Sequence, residues 1–197
     1  MRLLLLLALA LPIAAADVDV SVSHVGTFMT GDNAFPGGEL DVQTSRGFAA
    51  SADVFWTPRL STRFAATFIN PVAILQPADI DLNTVSLDIY SASARFHFTP
   101  AARLSPFAGG GAAIVSFGNL EERFADEILM ELDPEAAFLV EAGVRYRFRP
   151  RIFLEVAVSY MPLEGEVDVV REREGVALPS RVAFDPVTIS AGAGWRF

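Results

Sequence analysis

The sequence predicts an all-β protein, an eight-stranded antiparallel transmembrane β-barrel, and three observations carry that expectation. The closing segment, 187–197, alternates apolar with small or polar residues and ends on Phe197. Aromatic residues gather at the ends of the expected strands. Short turns and long connections follow one another along the chain, the asymmetry of outer-membrane barrels, whose short turns are periplasmic.

Side chains alternate across a strand with a period of two. Val187, Ile189, Ala191, Ala193, Trp195 and Phe197 therefore share one face, while Thr188, Ser190, Gly192, Gly194 and Arg196 share the other. One face suits lipid and the other a polar interior. Alternation alone leaves open which face is inside, because a soluble lipocalin-like barrel has the same pattern reversed. The aromatic residues at strand ends, a polar face rich in Gly, Ser and Ala, and the terminal phenylalanine favour the membrane arrangement.

Taken in order, residues 1–16 read as a secretory signal peptide, with Arg2 as the charged start, Leu3–Leu11 as the apolar core and Ala14, Ala15 and Ala16 at the cleavage site. The run falls short of the ~20 apolar residues of a spanning helix, and Pro12 interrupts it. The barrel domain is expected over 17–197. Its strands are placed at 18–29, 39–56, 62–69, 82–98, 105–117, 136–148, 152–163 and 182–197. Compact turns fall at 57–61, 99–103 and 149–151, each with a proline that breaks the hydrogen-bond ladder. Long connections are expected near 30–38, 70–81, 118–135 and 164–180, with a short helix over Glu121–Leu132 in the third.

Composition excludes several functions. The chain is 52% hydrophobic, yet beyond the first 16 residues the apolar residues are dispersed by alternation. There is no cysteine, so disulfides, a lipoprotein anchor and thiolate metal sites are ruled out. A net charge of −9 argues against nucleic acid. His24 and His97 are the only histidines, neither with a spaced metal-binding partner, so no metal or cofactor is expected. Some outer-membrane barrels act on acyl chains through serine and histidine, but His97, two residues from Arg95, fits a polar plug better than a general base. No enzyme is expected. Gly109, Gly110 and Gly111 lie inside a strand pattern, where glycine relieves crowding more often than it cradles phosphate.

With apolar residues on lipid, the inward positions sort into two zones. Towards the short turns they are Asp53, Arg63, Arg95, His97, Glu141, Arg145, Glu155 and Arg196. Towards the long connections they are Val85, Leu87, Ile89, Ile114, Leu139, Met161 and Phe184, an apolar upper lumen suited to a hydrophobic ligand. A β-bulge near Ile89 is the rival account of the fourth strand, keeping its apolar residues on lipid throughout. In the second strand Arg46 falls on the lipid parity, and a bulge near Gly47 would remove it. Buried charges of both signs must pair, since an unpaired one is costly. Eight strands leave room for packed side chains or one small ligand, so a general porin is excluded.

Residues 48–70, Ala94–Phe98 followed by Ser105–Gly111, Ala142–Tyr146 and the closing Asp185–Phe197 resemble the OmpW family of small outer-membrane proteins. The Pro106-Phe107-Ala108-Gly109-Gly110-Gly111 element and the Asp185-Pro186 closing strand are the most specific parts. The chain departs from the family in a short first loop. The resemblance implies an eight-stranded barrel in the outer membrane of a Gram-negative bacterium, with a narrow, partly hydrophobic lumen that passes small hydrophobic compounds. Expected partners are outer-membrane lipid, lipopolysaccharide, small hydrophobic solutes and the barrel assembly machinery, which would engage the last strand through Phe197. The alternative is a structural or adhesive barrel with a plugged lumen. Its acidic segment 121–127 and charged residues 171–174 would then do the work, or stand as ordinary solvated surface.

Overall fold

A computed structural model describes residues 17–29, 34–35, 38–42, 44–70, 72–76, 80–84, 86–118, 128–129, 134–171 and 176–197. Eight strands close into an antiparallel barrel. They are β1 (Val18–Met29), β2 (Ser45–Thr57), β3 (Leu60–Ile69), β4 (Ser86–His97), β5 (Leu104–Gly118), β6 (Glu135–Arg147), β7 (Ile152–Tyr160) and β8 (Pro186–Arg196). Each pairs with its neighbours in sequence, and β8 closes on β1 from Asp19↔Arg196 to Met29↔Pro186. The signal-peptide residues 1–16 lie outside the described residues. Among the described residues no helix is long and apolar enough to cross a membrane.

The pleat separates two surfaces. Outward positions carry large apolar side chains that remain exposed, among them Phe138 at 79%, Phe48 and Trp56 at 57% and Val156 at 56%. Inward positions carry Asp19, Asp53, Arg95, His97 and Arg145, each 2% exposed or less. A soluble barrel would reverse this, since so continuous an apolar exterior is not left facing water. Two aromatic belts bound the apolar band, as in transmembrane barrels. Trp56, Phe96, Phe98, Tyr146, Phe148, Trp195 and Phe197 lie at the short-turn end, and Phe28, Phe48, Phe68, Tyr90, Phe138 and Tyr160 at the other. Neighbouring rings touch across strands, with centroids 5.2 Å apart for Phe48–Phe68 and 6.4 Å for Phe68–Tyr90.

The expected strands and short turns are found, with differences at the long connections. Two small sheets stand there, one of 34–35, 38–42, 72–76 and 80–84 and another of 128–129, 163–171 and 176–184. Parts of the expected loops are therefore strand, and the expected barrel strands 39–56, 82–98 and 182–197 are too long, since 39–42, 82–84 and 182–184 lie in these sheets and the barrel strands begin at Ser45, Ser86 and Pro186. Ile128–Leu129, placed in a helix from sequence, pair instead with Arg171 and Val170. The rest of that helix falls outside the described residues. The fourth strand is unbroken, as the two-zone reading expects and against its rival: β4 pairs with β3 and β5 in continuous register past Ile89. The bulge considered near Gly47 is absent too, since β2 pairs with β1 continuously past it. Arg46 is therefore exposed on the outer face, near the end of β2, where charge costs less than at mid-membrane. The register shifts at Phe55/Thr57 instead, where Thr57 Oγ1 accepts from the amides of Arg59 and Leu60 and locks the turn.

The inside-out arrangement makes a quantitative prediction for folding into lipid vesicles, read by urea titration. Val156→Arg, at mid-strand on the outer face, should cost about 2–4 kcal/mol, whereas Phe148→Arg in the short-turn belt should cost about 1 kcal/mol or less.

Candidate functional site

Inward side chains at the short-turn end converge from every strand of the barrel. Three ion pairs are built by register alone, because their members sit directly opposite each other: Asp53 with Arg63, Arg145 with Glu155 and Asp19 with Arg196. Arg63 grips Asp53 with Nε and Nη2 at 3.0 and 2.8 Å. Arg196 grips Asp19 with Nε and Nη2 at 2.6 and 2.8 Å. Arg145 Nε donates to Glu155 at 2.9 Å. Such two-pronged contacts are the strongest that charged side chains make.

Register also creates a conflict. Asp19 and Asp53 face each other across β1 and β2, and like charges so placed destabilise a sheet. Arg145 resolves it from the far wall, donating from Nη1 to Asp19 at 2.5 Å and from Nη2 to Asp53 at 2.9 Å. Arg95 supplies the second crossing. It is separated from Glu141 by β5, where both are in register with Gly109. A Cβ at Gly109 would stand 3.1 Å from Arg95 Cγ, so the glycine leaves the lane through which Arg95 donates to both Glu141 oxygens. Arg95 Nη1 also reaches Glu155 at 3.0 Å, and Arg63 Nη2 reaches it at 2.7 Å. Four arginines thus meet four carboxylates, and the network carries no net charge.

Aromatic rings floor this network on the short-turn side. The guanidinium of Arg95 lies 4.2 Å from the Phe107 centroid, that of Arg145 4.2 Å from Phe153 and that of Arg196 4.7 Å from Phe55. Cation–π attraction is strongest when desolvated, as here. Two glycines seat the rings: a Cβ at Gly143 would come within 2.6 Å of Phe107 Cζ, and one at Gly194 within 2.2 Å of Phe153 Cζ. His97 sits between Phe55 and Phe107, with Nε2 3.0 Å from Ser61 Oγ.

Above the network lies a cavity of about 80 Å³, room for several waters or one small solute. Arg63, Arg95 and Glu141 form its base, Ser51, Ser91, Ser159 and Ser190 part of its wall, and Val25, Ile89, Leu139 and Met161 its apolar side. Beside Leu139 and Met161 the wall changes. β6 pairs with β5 up to Glu135↔Val115, but its register with β7 stops at Val140↔Tyr160. Among the described residues, 135–139 are therefore laddered on one side only, and the cavity borders this seam.

All eight residues expected in the polar lumen are brought together. Sequence reasoning missed Asp19, Phe55, Phe107 and Phe153. Their signal was parity: Asp19 shares a face with Ser21, Phe55 with Asp53 and Phe153 with Glu155. Of the apolar upper lumen, Leu87, Ile89, Leu139 and Met161 point inward. Ile114 does not: it is 56% exposed on the outer face, and Ala113 and Val115 take the lumen positions. Val85 and the side chain of Phe184 lie outside the described residues. The cavity wall is also less greasy than expected, since hydroxyls share it with apolar groups. Among the described residues no group of His, Asp or Glu is arranged to hold a metal ion.

A family model described as the OmpW family matches residues 10–197. Solved structures give the same fold. OprG from Pseudomonas aeruginosa superposes with a TM-score of 0.77 at 15% identity, covering 93% of this chain and 96% of that one. AlkL, determined in DMPC lipid bilayers, gives 0.69 at 19%, covering 92% and 90%. Outer membrane protein W of E. coli gives 0.60 at 16%, covering 93% and 98%. A comparison with curated protein sequences found no match.

The network's balance is testable by a double-mutant cycle read by urea unfolding in vesicles. Glu141→Leu alone removes two of Arg95's hydrogen bonds and leaves the buried network with one uncompensated positive charge, which should cost about 3–5 kcal/mol. Adding Arg95→Met should then cost much less than it does in the wild type, giving a coupling energy above about 1 kcal/mol.

Proposed function

This chain belongs to the OmpW family and is a β-barrel of the Gram-negative outer membrane, and from that premise we propose that it is a channel for small hydrophobic molecules. A solute enters from the long-connection end, occupies the cavity above the ionic network and leaves sideways through the β6–β7 seam into lipid. The observation that carries this reading is the position of the seam: the wall ladder ends beside Leu139 and Met161, the apolar side of the cavity. The route straight down meets eight paired charges and a floor of phenylalanine rings. Ions would have to break that network, whereas an apolar solute turned sideways would not.

The hydroxyls around the cavity suit a solute with one polar group, since each buried polar atom needs a partner. A non-enzymatic role fits the Ser61–His97 contact, which is packed between Phe55 and Phe107 and takes no part in the cavity lining. The rival reading, a structural barrel, draws on the same plug and denies the seam any use.

A reversible closure separates the two. The protein has no cysteine, so Phe138→Cys and Pro162→Cys, two residues beyond the Val140↔Tyr160 end of the ladder and both exposed, can be bridged by a cleavable cross-linker. Uptake of a hydrophobic fluorescent solute into liposomes should fall to the protein-free level on bridging and return on cleavage. Uptake indifferent to the bridge, or none before it, would favour the structural barrel.

A further inference from the structure

Two groups of arginines at the short-turn half of this barrel have opposite circumstances. Those in the lumen network are saturated by carboxylates. Five others lie at the short-turn rim: Arg59 in the β2–β3 turn, Arg103 in the β4–β5 turn, Arg147 at the end of β6, and Arg149 and Arg151 in the β6–β7 turn. Arg59, Arg103, Arg149 and Arg151 are exposed, and among the described residues none of the five makes an ion pair. Among the described side chains, the carboxylate at this rim outside the lumen is Asp17, 3.9 Å from Arg196.

We propose that this arginine rim is a binding surface for anionic phospholipid headgroups of the periplasmic leaflet. Depth supports it: Trp56, Phe98, Phe148 and Trp195 flank the same turns on the outer face, and such aromatic girdles sit at headgroup level. Chemistry supports it as well. A guanidinium matches a phosphate with two parallel hydrogen bonds, and clustered cations beside a membrane attract anionic lipid. The turns are short and fixed, Thr57 Oγ1 bonding the amides around Arg59 and Phe148 N bonding the Ile152 carbonyl, so the charges are presented at little entropic cost. The surface owes nothing to the transport reading and stands or falls apart from it.

The protein carries its own reporters, for both tryptophans, Trp56 and Trp195, lie at this rim. The full barrel is folded into vesicles in which brominated phosphatidylglycerol or brominated phosphatidylcholine quenches their fluorescence. The expected result is a preference for phosphatidylglycerol of about fivefold, equivalent to one arginine–headgroup contact. The preference should disappear when Arg59, Arg103, Arg149 and Arg151 are all replaced by Gln and persist when all four are replaced by Lys, with heat-modifiable gel mobility showing that each variant is folded. Equal quenching by the two lipids in the wild type, or an unchanged preference in the glutamine variant, would overturn the proposal. So would loss of the preference on adding inorganic phosphate at constant ionic strength, which would mark an anion site indifferent to the bilayer.

Discussion

Asp19 and Asp53 face each other at the narrow end of the barrel, and Arg145 reaches across the lumen to hold both. Ions buried in a low-dielectric interior are tolerable only when paired and hydrogen-bonded, and removing one partner costs far more than the pair contributes. The rest of the lower lumen answers that constraint. Glu155 takes hydrogen bonds from Arg95 and Arg145 and pairs with Arg63. Glu141 engages Arg95, and Arg196 completes Asp19. Glycines stand where a side chain would block an arginine's path or a ring's seat. The network ties all but one of the eight strands together through side chains, and Phe107 brings in the last from below.

That constraint also shapes what the molecule can carry. In this network every charge has a partner of opposite sign, and aromatic rings lie against its guanidiniums on the short-turn side. The remaining space is the cavity above, whose nearest break in the hydrogen-bonded wall is the seam beside β6. The proposed lateral route rests on this contrast between a wall whose ladder is incomplete beside Leu139 and a plug whose charges are all paired. The unpaired arginines at the rim follow the opposite logic: they face headgroups and water, where isolated charge costs little.

Much of the barrel was legible from alternation. The eight strands, the short turns and the eight polar lumen residues follow from a period of two and the placement of proline. Parity was not carried through every strand. Phe55, Phe107 and Phe153 point inward because guanidiniums need their faces, while Ile114 points outward because its neighbours Ala113 and Val115 already occupy the lumen positions. The continuous register past Gly47 and Ile89 was not legible, since a bulge and an unbroken strand predict the same residues on different faces. Cross-lumen pairs such as Arg145–Asp19 depend on closure and shear, which no single strand encodes.

The most direct test of a sealed plug beneath a side exit is to measure, on one preparation of refolded protein, hydrophobic-solute uptake into liposomes and single-channel conductance in planar bilayers. The account predicts solute uptake with little or no ionic conductance. A steady ohmic conductance accompanying uptake would contradict it, because ions would then be crossing a network that should hold every charge in place.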